Sequence, residues 1–168
     1  MYRISTGDDM DEALAMARRL LALRSVGCCP QDVSANVWTR AAGGYLGVDG
    51  LLVSGTVMEE LTEEVVAGLP EGPVELWTRD LPLDSGIVEQ LVAVVGPDPA
   101  TISWDVCWPG NHTRCGFEVG LNGAALWHPV SPAGHSVYVH VSPSHAEQAH
   151  ELAAAVGGRV MGEPATGW

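Results

Sequence analysis

The chain has 168 residues, 46% of them hydrophobic and 17% charged, so it is long enough to bury one core without a disulfide or a metal. It carries 21 acidic side chains against 8 basic ones, and every basic residue is an arginine. This composition excludes a lysine-based active site. It also argues against nucleic acid as a partner, because no row of basic side chains is present.

The N-terminal residues and the apolar runs predict where the protein works. The first residues become acidic within ten positions and lack the basic and then apolar pattern of a signal peptide. No stretch reaches the ~18 apolar residues that a membrane-spanning helix needs. We therefore expect a cytoplasmic protein that does not act at a membrane, with its cysteines reduced.

The first predicted elements are a short strand over residues 2–5 and a helix over residues 8–26. Apolar residues recur at helical spacing between Met10 and Leu21. Aspartates and a glutamate crowd the start of this helix and arginines lie towards its end, which suits the helix macrodipole. Gly27 is a typical helix terminator.

The middle of the chain predicts a hairpin and then a second helix. Asp49 and Gly50 lie between two apolar runs in residues 45–53, a strong signal for a tight β-hairpin. A capping box formed by Thr56 and Glu59 predicts that the second helix begins there, and Pro70 ends it. Further strands are predicted over residues 37–39 and 74–78.

The second half of the chain predicts two more helices and a second hairpin. A helix covers residues 84–95, and alternation of apolar and polar residues predicts a half-buried strand over residues 101–108. Asn122 and Gly123 predict a hairpin that joins residues 117–121 to residues 124–127. After a strand over residues 137–141, Ser144 and Glu147 form a second capping box for the last helix.

These elements define the predicted fold class. Hairpins interrupt the alternation of strand and helix twice, which favours an α+β fold over a doubly wound one. We predict a single α+β domain over residues 1–168. Its sheet is mostly antiparallel or mixed, contains the two hairpins at Asp49-Gly50 and Asn122-Gly123, and carries about four helices.

One loop has the residue types of a metal site. Cys107, His112 and Cys115 lie within nine residues around a Pro-Gly turn and could supply three of the four ligands of a zinc ion. The fourth would come from Cys28, Cys29 or another histidine. The paired CxxC spacing of zinc modules is missing, so we expect no cofactor, with zinc as the alternative. Otherwise Cys107 and Cys115 are small buried hydrophobes.

Other catalytic patterns are incomplete. Cys115, His128 and Asp105 could form a nucleophile, base and acid across paired strands, but no local motif supports this set. His145 and Glu147 have the H-x-E spacing of zinc deaminases, yet no cysteine follows Cys115 to complete that site. The sequence therefore favours a protein without catalytic activity.

The candidate partner-binding residues are acidic and aromatic. Glu59, Glu60, Glu63 and Glu64 form the densest acidic cluster. Two similar segments place a tryptophan near an arginine, Trp38 with Arg40 and Trp77 with Arg79, and these residue types are enriched at interface hot spots. Core packing is the alternative for both tryptophans.

Three functions remain open on the sequence. The first is a non-catalytic acidic protein that binds a partner protein with a basic surface, for example an immunity or antitoxin-type inhibitor of a nuclease or deaminase. A net charge of −13 would speed such an association. The alternatives are a metal-assisted hydrolase built on the Cys/His loop and a ligand-binding or assembly module built on the tryptophans.

Overall fold

A computed structural model describes most of the chain. The described residues are 1–27, 31–38, 42–55, 57–79, 81, 85–111, 113, 115–124 and 132–165. Cys28, Cys29, Arg40, Thr56, His112, Trp127 and His128, which the sequence singled out, lie outside these ranges.

The described elements are eight strands and five α-helices. The strands are β1 (Tyr2–Gly7), β2 (Asp32–Trp38), β3 (Leu51–Val53), β4 (Glu59–Glu60), β5 (Pro73–Thr78), β6 (Ala100–Asp105), β7 (Gly116–Leu121) and β8 (His135–His140). The helices are α1 (Met10–Ala22), α2 (Ala42–Tyr45), α3 (Glu63–Gly68), α4 (Ile87–Val95) and α5 (Ala146–Ala155), the last preceded by a 3₁₀ turn over Pro143–His145.

All eight strands form one antiparallel sheet. Their order is β1-β8-β7-β6-β2-β5-β3-β4. Helix α1 connects β1 to β2, and helix α4 connects β5 to β6. In each case the two strands run in the same direction, because they are an even number of positions apart in an antiparallel sheet. The predicted α+β class is confirmed, and the sheet is larger than the two predicted hairpins suggested.

One side of the sheet, which we call the first face, holds the apolar core. Ile102, Trp104, Phe117, Val119 and Val137 alternate along three neighbouring strands and are each at most 3% exposed. The core also takes in apolar residues of α1, α4 and α5. The rings of Trp104 and Phe117 stack with centroids 4.7 Å apart and planes 13° apart. These helices therefore cover the first face.

The opposite side, which we call the second face, is polar. Cross-strand partners on this side include Ser103 with Glu118 and Asp32 with Asp105. Successive strand residues point to opposite sides of a sheet, so the strand residues that alternate with the core positions project from the second face.

Two predicted helix starts were wrong. Glu59 is in β4, and the helix that follows begins after Thr62, whose hydroxyl accepts a 3.3 Å hydrogen bond from Val65 N. The last helix has His145 at its N-cap, with no capping hydrogen bond from that side chain. Both capping boxes were misplaced because serine, threonine and glutamate are frequent enough to match the spacing by chance.

The Asp49-Gly50 hairpin was also wrong. These residues lie in a turn. A strand was predicted before this turn, but the structure has the helix α2 there, and β3 follows the turn. The second turn signal was correct in its conformation. Asn122 and Gly123 both have positive φ, 53° and 81°, as a tight hairpin turn requires. The strand that follows this turn and pairs with β7 is β8. The segment predicted to pair with it, residues 124–127, lies mostly outside the described residues.

In the part of the chain that the structure describes, no helix combines the length and the apolar character needed to cross a bilayer.

Candidate functional site

Four glutamates gather where the sheet ends, and we call them the acidic edge. Glu59 and Glu60 form β4, the outermost strand, and Glu63 and Glu64 begin α3. All four are exposed. The cap by Thr62 fixes the start of α3, so Glu63 and Glu64 occupy its first turn, where the helix dipole stabilises negative charge.

An apolar groove runs beside the acidic edge, between the β3–β4 segment and α3, and we call it the edge groove. Its cavity volume is about 630 Å³, and Val53, Val57, Val65 and Leu69 line it together with the carboxylates of Glu59 and Glu64. Val57 is 72% exposed, and the adjacent Met58 is 47% exposed. Large apolar side chains exposed next to charged ones are typical of protein-binding surfaces.

Arg79 lies beside the acidic edge, and Trp77 lies two strands away from β4. Trp77, Leu52 and Glu60 are successive cross-strand partners on β5, β3 and β4. Arg79 Nη1 is 2.6 Å from Glu60 Oε1, with both side chains more than half exposed. Such an exposed pair contributes only about 0–1 kcal/mol, so Arg79 orients Glu60 more than it stabilises the fold.

Trp38 is not part of this cluster. It pairs with Pro73 at the far end of β5 from Trp77, which pairs with Ser34. Four residues of strand separate the two positions, roughly 13 Å at ~3.3 Å per residue. Arg40 lies outside the described residues, so the structure gives no position for the second tryptophan–arginine pair.

The predicted zinc loop has a different arrangement. Cys107 is disulfide-bonded, contrary to our expectation of reduced cysteines, and its sulfur is therefore not a thiolate ligand. Cys115 is a buried thiol that donates to the carbonyl oxygen of Thr113 at 3.1 Å. His112 lies outside the described residues. No group of three or more metal-ligating side chains is found among the residues that the structure describes.

The remaining sequence candidates are dispersed. His145 Nδ1 lies 2.7 Å from Ser142 Oγ at the surface, while Glu147 and His150 are exposed on α5. Asp105 ends β6 and Cys115 immediately precedes β7, but His128 is outside the described residues. Among the residues that the structure describes, neither catalytic set is complete.

Sequence reasoning missed a buried carboxyl on the second face. Glu118 has no exposed surface, and Ser103 Oγ donates to its Oε2 at 3.1 Å. Its other oxygen, Oε1, has no hydrogen-bond partner. Burial raises the pKa of Glu118 to about 7, and the hydrogen bond from Ser103 opposes this shift. The signal available in the sequence was a lone charged residue inside an otherwise uncharged strand, Gly116–Leu121.

A second carboxyl with a raised pKa lies one strand away. Asp105 and Asp32 are direct cross-strand partners. The pKa of Asp105 is raised to about 7, first by burial and then by the negative charge of Asp32, by a hydrogen bond between the two, and by the charge of Glu75. At neutral pH the pair therefore shares a proton part of the time, as close carboxyls do.

A buried histidine on β8 gives a testable pH dependence. Burial, and secondarily the positive amino group of Met1, lowers the pKa of His140 to about 3. The unfolded chain protonates this histidine below pH ~6.5, whereas the folded chain does not, so His140 contributes stability above that pH and loses it as the pH falls. In the wild type, this effect lowers the free energy of unfolding by about 1.4 kcal/mol per pH unit as the pH falls from ~6 to ~4. We expect His140→Leu to remove this dependence on pH.

Urea unfolding at a series of pH values measures this slope. His150→Leu is the matched control, because His150 is exposed on α5. An unchanged slope in His140→Leu would contradict the buried, neutral state of this histidine.

The comparisons with known protein families, curated proteins and solved structures found no match to this chain.

Proposed function

We propose that this chain is a non-catalytic acidic protein that binds a partner protein with a basic surface, through the acidic edge and the edge groove. The observation that carries the proposal is the placement of Val57, 72% exposed, and Met58, 47% exposed, next to four exposed glutamates on the outermost strand and in the first turn of α3. Apolar contact would supply affinity, and the glutamates would select a basic partner.

The electrostatics support this choice of partner. The chain has a net charge of −13. Among the described residues of the acidic edge, Glu60 forms an ion pair with Arg79. A field of this sign accelerates association with basic proteins and makes the rate sensitive to salt. β4 also forms the free end of the sheet, where a partner can add backbone hydrogen bonds.

An inhibitor is the specific form of binding protein that we infer. Nucleases and nucleic-acid deaminases carry basic substrate grooves, since they must hold a phosphate backbone. An acidic protein that covers such a groove blocks the enzyme without any chemistry of its own. This is the mode of action of an immunity protein or an antitoxin.

Site-specific photocrosslinking in the cells that make this chain tests the proposal. A photoreactive benzoylphenylalanine replaces Val57 in one variant and Val26 in the other. Val26 is the matched control, because it is 84% exposed and lies outside the edge groove. We expect Val57 alone to capture a discrete partner, with a pI above about 9, whose enzymatic activity falls on binding.

Charge variants complete this test. Glu59→Gln with Glu64→Gln removes two charges from the edge groove, and we expect binding of the captured partner to weaken about tenfold at low salt. Glu147→Gln with Glu151→Gln removes the same charge from the exposed surface of α5 and should leave binding within about twofold. Equal capture from both crosslinking positions, capture of an acidic partner, or equal loss in both charge variants overturns the proposal.

A cytoplasmic location remains a proposal that rests on the sequence. The disulfide of Cys107 favours an oxidising compartment instead. Cell fractionation together with thiol labelling of Cys107 decides between the two.

A further inference from the structure

A cleft of about 300 Å³ opens on the first face of the sheet between α1 and α4, and we call it the helix cleft. Leu14, Ala17 and Leu21 form its wall on α1, because residues spaced by three and four share one side of a helix. Val88 faces them from α4, and Trp104 of β6 forms part of the lining. Its volume is at the lower end of the ~300–1,000 Å³ typical of small-molecule sites.

The apolar interior of the helix cleft includes a packed aromatic ring. Trp104 is 3% exposed and stacks on Phe117, its cross-strand neighbour, so this contact restricts the orientation of its ring. Ala17 contributes only a methyl group to the wall, which leaves room above the ring. This interior suits a single large apolar group.

The rim of the helix cleft carries two opposite charges. Arg18 and Glu89 line it and form a 3.0 Å ion pair, with side chains 61% and 57% exposed. The hydrogen bond from Arg18, and then that from its own backbone N–H, lowers the pKa of Glu89, so its carboxylate is charged at neutral pH. An exposed pair of this kind stabilises the fold very little, so a ligand can separate it at little cost.

The first turn of α4 adds hydrogen-bond donors to the rim. Gly86 is the N-cap residue and gives no side-chain hydrogen bond to the helix. The first backbone N–H groups of a helix have no partner within it and favour an anion. Gly86 and Val88, at the start of this helix, both line the helix cleft together with Arg18.

We propose that the helix cleft binds a free α-amino acid with a large apolar side chain. The carboxylate is received by Arg18 and the first turn of α4, the ammonium group by Glu89, and the side chain packs on Trp104. A zwitterion fits better than a simple acid, because a chain with net charge −13 repels an anionic ligand at long range. This proposal does not depend on the acidic edge.

Titration calorimetry with L-phenylalanine as the probe tests the proposal on the unaltered protein. The comparison ligands are 3-phenylpropanoate, which lacks the ammonium group, and 2-phenylethylamine, which lacks the carboxylate. We expect saturable binding of L-phenylalanine at one site per chain. Each comparison ligand should bind about tenfold more weakly, because it loses one charge-assisted contact.

Three variants locate the binding. Arg18→Gln should weaken L-phenylalanine about tenfold, while Arg19→Gln, a neighbouring arginine bonded to Glu12 outside the helix cleft, should leave it within about twofold. Ala17→Leu fills the interior and should abolish binding. No saturation at millimolar L-phenylalanine, equal affinity for all three ligands, or equal loss in Arg18→Gln and Arg19→Gln overturns the proposal. Because all three of these outcomes use the wild-type chain or surface variants, the test does not depend on Ala17→Leu folding.

Discussion

Trp108→Ala is expected to lower the free energy of unfolding by about 3–5 kcal/mol, as large-to-small changes of buried aromatic residues do. Trp108 is fully buried and lies 6.0 Å from Phe117 between ring centroids. Its indole N–H donates to the carbonyl oxygen of His140 at 3.0 Å. The substitution therefore leaves a cavity in the core and a buried carbonyl without this donor.

The two parts of this effect separate in a second variant. Trp108→Phe keeps most of the ring volume and removes the N–H donor, so we expect a loss of about 1–3 kcal/mol. Urea unfolding followed by far-ultraviolet circular dichroism measures both variants, since this signal does not depend on which tryptophan is replaced. A loss in Trp108→Ala below about 1 kcal/mol would contradict full burial of this side chain.

Glu118→Gln is expected to raise the free energy of unfolding at pH 8 by about 3 kcal/mol relative to the wild type. Glu118 is buried, and its pKa is raised to about 7 in the folded chain from an ordinary value near 4.5. A raised pKa means that this group contributes stability below pH ~4.5 and loses it as the pH rises through ~7. Glutamine has no charge to bury, so it avoids this loss.

The pH dependence identifies the cause of the gain. At pH 4 the wild-type carboxyl is protonated, and the two proteins should differ little. Glu147→Gln, on the exposed surface of α5, is the control and should not change the slope of stability with pH. Asp105 titrates in the same direction, so part of the slope should persist in Glu118→Gln. A full wild-type slope in this variant would show that Glu118 is solvated.

The parts of the fold that sequence predicts well are those with long periodic patterns. The stripe from Met10 to Leu21 predicted α1, and its N-cap is Asp9, which accepts a hydrogen bond from Glu12 N. The alternation in residues 101–108 predicted β6. Such patterns are reliable because they record which side of an element is buried.

Short signals were less reliable because tertiary contacts override them. The pair Asp49-Gly50 makes a turn, but pairing of β3 with β5 decides what lies on either side of it. Glu59 and Glu60 become a strand because Leu52 and Val53 offer them a partner. A two-residue strand has no periodicity, so no sequence pattern could have predicted it.

The candidate site shows the same division. Exposure of the glutamates followed from their density along the chain, and in the structure Glu60 pairs with Arg79 while Trp77 lies two strands away on β5. Three other features depend on contacts between distant segments of the chain. They are the edge groove beside Val57 and Met58, the helix cleft, and the burial of Glu118. Arg18 and Glu89, for example, are 71 positions apart, and single-sequence reasoning does not bring such residues together.

The pairing of β1 with β8 has a consequence for biosynthesis. Tyr2 lies opposite Val139, so β1 leaves the ribosome long before β8, its neighbour in the sheet, has been translated. At ~5–20 residues per second, roughly 7–27 seconds pass before that strand emerges. Sheets rich in such distant pairings fold slowly, and during this interval the nascent chain exposes an edge that molecular chaperones are suited to shield.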